Sequence, residues 1–174
     1  MAYTSLKSAP KAFDQHKRLI VVQVAAVLAI ILLLFGRPAL AEGSNGHEIL
    51  EAVGFAMVLA CFLGRLWSIL FVGGRKNDEL IVSGPFSMTQ NPLYFFSAVA
   101  AAGVGGQMGS LVLMVTFGVL CWVAFSIVIR KEEEFLSAKL GKTYLDYVAR
   151  VPRFIPNPAL YRDEKLVSFQ PSLL

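Results

Sequence analysis

The chain has 174 residues, of which 56% are hydrophobic and 16% are charged, and its mean hydropathy is +0.61. A soluble domain of this length has too little interior to bury that much apolar surface, and intrinsic disorder is excluded because it requires low hydrophobicity. The formal net charge of +4 does not require a nucleic-acid partner, because a membrane protein uses basic residues at the membrane surface.

Four apolar stretches follow one another along the chain, and together they predict an all-α integral membrane protein. A transmembrane helix needs roughly 17–25 predominantly apolar residues, and three of the stretches meet that length. The third is shorter and rich in Ala and Gly, so we expect it to tilt or to end within the bilayer. About four transmembrane helices are therefore predicted, over residues 19–35, 49–72, 93–108 and 111–129.

The basic residues predict how this bundle is oriented. Fourteen of the sixteen Lys and Arg residues lie in three segments, which are residues 1–18, 73–92 and 130–174. Four spans place all three segments on the same side, so we expect both termini to be cytoplasmic and the protein to lie in a bacterial inner membrane. The predicted organisation is an N-terminal segment (1–18), a transmembrane bundle (19–129) and a C-terminal helical tail (130–174).

The N-terminus has a second interpretation. A basic start, an apolar run and Ala39-Leu40-Ala41 also resemble a cleavable signal peptide. This alternative leaves the orientation of the remaining chain unchanged.

Glycines are concentrated between the third and fourth stretches, at Gly103, Gly105, Gly106 and Gly109. They predict a tight helical hairpin with close backbone packing. A phosphate-binding loop is disfavoured, because this turn falls on the outer side of the membrane. No metal site is predicted either, since the two cysteines and the two histidines share no ligand spacing.

The loop before the third stretch ends in Gln90-Asn91-Pro92-Leu93-Tyr94. Asn91 is a favoured N-cap residue and Pro92 suits the first helical position, so this segment predicts the start of a helix. A helix N-terminus is also an anion-binding site, and Tyr94 adds an aromatic face and a hydroxyl in the first turn. Both interpretations stay open at this point.

The tail begins with three adjacent acids, Glu132-Glu133-Glu134, directly after the fourth stretch. They are either a solvated run of charge or, because like charges repel one another at the headgroup level, a site for a cationic partner. Beyond Gly141, Tyr144 and Tyr147 begin an apolar stripe at helical spacing. This stripe predicts a second short helix that docks against the membrane or under the bundle.

Arg65 is a charged residue within the second stretch, about 10 Å inside its cytoplasmic edge. Its side chain either snorkels to the surface or has a buried partner. A tail carboxylate and a substrate headgroup are the two candidates for that partner.

The ordered set of motifs resembles a known family. Gly64-Arg65-Leu66-Trp67 precedes Gly84-Pro85-Phe86 and the Gln90–Tyr94 segment, and Glu132-Glu133, Tyr144, Tyr147 and the run from Val151 to Pro156 follow. Over roughly residues 50–156 this order is similar to that of the isoprenylcysteine carboxyl methyltransferase and phospholipid methyltransferase superfamily. These are integral-membrane enzymes that use S-adenosylmethionine.

The resemblance implies a cofactor pocket on the cytoplasmic face and a lipid or hydrophobic small-molecule acceptor. Arg65 is our candidate for a substrate contact because it is a charge within an apolar stretch, and the resemblance assigns no catalytic residue, metal or general base. The acids suit the cofactor's sulfonium and ammonium groups, and aromatic walls suit its adenine. Glu134 competes with Glu132 and Glu133 for the position of the acidic pair. The implied cofactor-binding residues are Gln90, Asn91, Pro92, Tyr94, Glu132, Glu133, Tyr144 and Tyr147.

The chain departs from the carboxyl methyltransferases at one motif. Those enzymes usually show Arg-His-Pro where this chain has Gln90-Asn91-Pro92, and the phospholipid N-methyltransferases, with Asn-Pro-x-Tyr, resemble it better. The missing Arg weakens the case for a carboxylate acceptor, because an Arg can clamp a carboxylate. Two alternatives remain: a nicotinamide-dependent membrane reductase, and a non-catalytic membrane protein with a decayed cofactor pocket.

Overall fold

The computed structural model describes residues 42–72 and 80–163, together with scattered positions between 20 and 40. Within these residues the regular structure is entirely helical, and the fold class predicted from composition is confirmed to that extent. The elements in chain order are α1 (Asn45–Val72), α2 (Pro85–Met88), α3 (Pro92–Gln107), α4 (Leu111–Leu140), α5 (Lys142–Val148) and a 3-10 turn (Pro158–Leu160).

Two of these helices, α1 and α4, are long and apolar enough to cross a membrane. Most of their side chains are not covered by the rest of the protein, and large apolar residues such as Phe62 and Val112 are 64% and 69% exposed. Such surfaces suit contact with lipid rather than with water. The predicted first span, 19–35, lies largely outside the described residues. The presence of four spans therefore stays a prediction.

Glycines allow α1, α3 and α4 to approach one another closely. A β-carbon on Gly54 of α1 would lie 2.5 Å from the Gly103 carbonyl oxygen of α3, and one on Gly105 would lie 2.5 Å from the backbone of Leu113 in α4. Gly109, with a φ of 61°, turns the chain between α3 and α4. The predicted hairpin is confirmed, and the same glycine cluster also seats α3 against α1.

The fourth predicted span ends at residue 129, whereas α4 continues without a break to Leu140. The added segment contains good helix formers and a Lys131–Glu134 ion pair at i,i+3 spacing, both of which favour helix. Gly141, with a φ of 55°, ends α4 and precedes α5, so the predicted second short helix is confirmed. The acidic residues of the tail therefore lie on an extension of α4.

After α5 the chain folds back along the loop that connects α1 to α3. The Gln90 backbone N–H donates to the Pro152 carbonyl at 3.0 Å, and the Asn157 N–H donates to the Met88 carbonyl at 2.9 Å. Farther along, the Gly84 N–H donates to the Arg162 carbonyl at 2.7 Å. These bonds hold residues 149–162 as a strap across α2 and the start of α3.

Candidate functional site

A cavity of about 210 Å³ lies where the end of α1, the loop before α3, the extension of α4 and helix α5 meet. Many of its lining residues are apolar, and its polar side chains come from the loop, from α4 and from the two tyrosines of α5. The lining residues are Val72, Leu80, Ile81, Phe86, Gln90, Asn91, Ile129, Glu132, Glu133, Leu136, Lys139, Leu140, Tyr144 and Tyr147. We call this the inner cavity.

Six of the eight cofactor-binding residues predicted from the sequence line the inner cavity. The other two, Pro92 and Tyr94, do not line it. Pro92 is the buried first residue of α3. Tyr94 is linked to the site nonetheless, because its hydroxyl donates to Glu132 Oε1 at 2.9 Å while its ring packs 4.7 Å from the ring of Phe125. The hydroxyl thus fixes one acid of α4 from the first turn of α3.

The second acid, Glu133, is held by a residue that the sequence analysis did not single out. Arg153 in the strap donates from Nε to Glu133 Oε1 at 2.6 Å and from Nη2 to Oε2 at 2.7 Å. Both carboxylate oxygens are engaged, which is the strong geometry for an Arg–carboxylate pair. Only the folding of the tail brings these residues together, so no local pattern could have revealed the pair.

Other missed residues carry a signal that the sequence does contain. Ile129, Leu136 and Leu140 line the inner cavity together with the two acids. They recur at three- and four-residue spacing around Glu132 and Glu133, so they share one face of a helix. Continuing the helix of the fourth stretch beyond residue 129 would have identified them.

Asn91 occupies the predicted N-cap position of α3, but its side chain makes no capping bond. Instead, Nδ2 donates to the Arg153 carbonyl at 2.9 Å. The neighbouring Thr89 hydroxyl donates to the Phe154 carbonyl at 3.0 Å. The predicted helix start and the N-cap position of Asn91 are confirmed, but no capping bond forms, and the Asn91 amide NH2 binds the strap instead.

The two ends of the Gln90 side-chain amide have different surroundings. Its Nε2 donates to the carbonyls of Val148 and Val151. Its Oε1 is buried and has no hydrogen-bond partner among the residues that the structure describes. An unsatisfied buried acceptor costs about 1–3 kcal/mol, so this atom is an unusual feature for a stable fold.

The two tyrosines of α5 close the inner cavity from the tail side, and each is only 4% exposed. The Tyr147 hydroxyl donates to the Phe86 carbonyl at 2.7 Å, which ties α5 to α2. Burial, together with the nearby Glu133 and Glu132 carboxylates, raises the pKa of Tyr144 to about 12. Burial and the adjacent Tyr144 raise the pKa of Tyr147 as well. Both side chains are therefore neutral hydroxyls at physiological pH.

Arg65 does not pair with a tail carboxylate, so that candidate partner is wrong. Its Nη1 donates to the Leu93 carbonyl at 3.3 Å and to the Ser97 hydroxyl, and it thereby joins α1 to α3. Polar atoms in the first turns of α3 are nearer to it than the acids of α4. Arg65 does not line the inner cavity, and its role toward a substrate stays a prediction.

A second, more open cavity of about 660 Å³ lies on the strap side of the same wall. We call it the outer cavity. Gln90, Glu133 and Tyr144 line both cavities. The outer cavity is more polar, since Arg130, Arg153, Glu134 and Ser137 also line it. Gln90, Glu133 and Tyr144 therefore form the boundary between the more apolar inner cavity and the more polar outer cavity.

Parts of this sequence are similar to a known protein family and to known proteins. The sequence model described as phospholipid methyltransferase matches residues 52–143, a range that includes the loop and both acids. The chain is 31% identical over 102 residues to the protein-S-isoprenylcysteine O-methyltransferase of Schizosaccharomyces pombe, which covers 58% of this chain and 42% of that protein. No solved structure matches the chain.

Two bacterial relatives carry other names. The chain is 32% identical over 152 residues to the cobalt-zinc-cadmium resistance protein CzcN of Cupriavidus metallidurans, covering 87% of this chain and 69% of that protein. It is 36% identical over 115 residues to the nickel-cobalt-cadmium resistance protein NccN of Alcaligenes xylosoxydans xylosoxydans, covering 66% of this chain and 54% of that protein. Because the family match alone covers more than half of the residues, the chain belongs to the phospholipid methyltransferase family.

Proposed function

We propose that the protein is an S-adenosylmethionine-dependent methyltransferase that acts at the cytoplasmic membrane face on a lipid or hydrophobic small acceptor. One observation carries this proposal: the loop before α3, the two acids of α4 and the two tyrosines of α5 converge on one cavity. Membership of the phospholipid methyltransferase family and similarity to an isoprenylcysteine methyltransferase support it.

The polar groups of the cavity suit this cofactor. S-adenosylmethionine carries a sulfonium and an ammonium, and carboxylates such as Glu132 and Glu133 stabilise positive charge. The Tyr144 and Tyr147 rings, 6.3 Å apart, offer aromatic faces for an adenine. When bound, the cofactor supplies the methyl group, which transfers by in-line displacement.

The chain's own contribution to such a reaction is to bind, orient and exclude water. Tyr94 and Arg153 fix the orientations of Glu132 and Glu133, so little reorganisation is needed when a cation enters. Apolar residues such as Leu136 and Leu140 line much of the inner cavity, and such a lining disfavours water around the reacting groups.

The location of the cavity suits an acceptor that is dissolved in lipid. Val72 is the last residue of α1, one of the helices able to span a membrane, and it lines the inner cavity. A site at the end of a span lets a water-soluble cofactor meet a membrane-resident acceptor. The proposed topology has four spans with both termini cytoplasmic, as the basic residues predict.

The names of CzcN and NccN describe metal resistance in those bacteria. In the described part of this chain, no group of three or more His, Cys, Asp or Glu residues is arranged to hold a metal ion. The acids of the cavity have Tyr and Arg partners instead. The proposed function therefore follows the methyltransferase relatives.

Calorimetry of purified protein in detergent tests the proposal. We expect S-adenosylmethionine to release heat with the wild type, and the binding to be lost or at least 10-fold weaker in Glu132→Gln and Glu133→Gln. The control is Glu134→Gln, because Glu134 pairs with Lys131 at the surface and does not line the inner cavity. Binding of a reduced nicotinamide dinucleotide instead would favour the reductase. If the protein binds neither ligand, the result would favour a non-catalytic protein with a decayed pocket.

Transfer of labelled methyl groups into a whole lipid extract then identifies the acceptor. The same measurement is then repeated with two separate extracts. One contains prenylcysteine carboxylates and the other contains amine phospholipids, so the labelled extract shows which of these two acceptor classes is methylated. If the wild type binds the cofactor but labels neither extract, lipids of these two classes are excluded as acceptors.

A further inference from the structure

The orientation of the Gln90 side-chain amide is determined by its surroundings. Two carbonyl oxygens, those of Val148 and Val151, face one end of the amide. Only the NH2 group can pair with them, because a carbonyl cannot donate to a carbonyl. The amide oxygen must therefore point the opposite way, and a flipped assignment is excluded.

The Gln90 side chain lies at the functional site. Gln90 is one of the three residues that line both the inner and the outer cavity, together with Glu133 and Tyr144. Its Oε1 is shielded from solvent and accepts no hydrogen bond from the described part of the chain. A buried acceptor that the described residues leave unsatisfied, on a side chain that lines two cavities, is suited to pair with a group of a bound ligand.

We propose that Gln90 is a specificity-determining residue, whose Oε1 accepts a hydrogen bond from an N–H or O–H group of the ligand. This inference depends on the proposed function, since it concerns the same site. The donors of the amide are already used by the Val148 and Val151 carbonyls, so the side chain offers the ligand an acceptor only. A carboxylate has no proton to donate at neutral pH and is rejected at this point, whereas an amine, an ammonium or a hydroxyl is accepted.

The donor can come from the nucleoside cofactor or from the methyl acceptor, and two measurements distinguish these sources. The first is the Kd of S-adenosylhomocysteine by calorimetry, in which no acceptor is present. The second is kcat/KM for labelled-methyl transfer to the acceptor class that the lipid extracts identify.

Three variants separate ligand recognition from support of the strap. Gln90→Leu and Gln90→Glu both lose the bonds to Val148 and Val151, but only Gln90→Glu keeps an acceptor. Thr89→Val is the matched control, because it removes different strap bonds, to the Arg153 and Phe154 carbonyls, and Thr89 does not line either cavity. Gln90→Glu also places a negative charge against the Val148 and Val151 carbonyl oxygens, so the melting temperatures of both Gln90 variants are measured to verify that each is folded.

We expect Gln90→Leu to weaken S-adenosylhomocysteine binding about 10-fold if the cofactor supplies the donor, or to lower kcat/KM about 10-fold with unchanged Kd if the acceptor does. Thr89→Val should stay within about 3-fold of the wild type in both measurements, and Gln90→Glu, which keeps an acceptor, should be less defective than Gln90→Leu. The inference is overturned if Gln90→Leu matches the wild type in both, or if Gln90→Glu is as defective as Gln90→Leu. Failure of the wild type to bind the nucleoside overturns the proposed function instead.

Discussion

Arg153 and Glu133, twenty residues apart in the sequence, form a two-point ion pair with N···O distances of 2.6 and 2.7 Å. The Arg153 carbonyl also accepts a hydrogen bond from the Asn91 side chain at 2.9 Å. One residue of the strap therefore contacts both the extension of α4 and the loop before α3. This arrangement fixes the carboxylate of Glu133 at the boundary of the two cavities.

The first prediction concerns this pair. We expect Arg153→Gln to lower the free energy of unfolding by about 1 kcal/mol, and no more than that, because the Arg153 side chain is 52% exposed and solvent screens the pair. Thermal unfolding of both single variants and of the Glu133→Gln/Arg153→Gln double variant measures the coupling. Strictly additive effects of the two substitutions would show that the ion pair contributes nothing.

The second prediction concerns the hydroxyl that fixes Glu132. Tyr94→Phe removes the bond to Oε1 but keeps the ring contact with Phe125, so the fold should be retained. We expect S-adenosylmethionine affinity to fall about 3- to 10-fold, the usual effect of losing one hydrogen bond. Tyr161→Phe is the control, since that tyrosine contacts Trp67 and lines neither cavity. Equal affinities of Tyr94→Phe and the wild type would exclude a role for the hydroxyl.

The third prediction concerns the close approach of α1 and α3. Gly54→Ala places a β-carbon 2.5 Å from the Gly103 carbonyl oxygen, and the backbone of α3 must move to relieve the clash. We expect a loss of about 1–3 kcal/mol of unfolding free energy. Gly46→Ala in the same helix is the control, because its β-carbon meets only the end of the Leu40 side chain at 3.3 Å. A neutral Gly54→Ala would show that the helices are farther apart.

The fourth prediction concerns alkaline pH. The pKa of Tyr144 is raised from its model-compound value of 10.0 to about 12, so folding favours the protonated hydroxyl. Its contribution to stability is complete below pH about 10 and is lost as the pH rises toward 12. In Tyr144→Phe, stability should therefore fall less steeply over this interval, as measured by melting temperature against pH. Parallel curves for the two proteins would contradict the assignment.

Local sequence determined the elements of this fold. Pro92 marks the start of α3, the Ser110 hydroxyl caps α4 by accepting from the Leu113 N–H, and Gly141 separates α4 from α5. These boundaries follow from capping preference, proline geometry and a positive φ, all of which act within a few residues. The apolar composition likewise determined that the chain needs a membrane as solvent, because burial depends on the total apolar area.

Tertiary structure decided where the polar side chains point. The Gln90 and Asn91 amides bind carbonyls about 60 positions later in the chain, Arg153 reaches Glu133, and Arg65 binds α3 rather than a tail acid. Each of these side chains had several partners of the right chemistry in the sequence. The choice among them depends on how α5 and the strap return across the loop, and a hydrogen bond forms only where packing brings both atoms within about 3 Å.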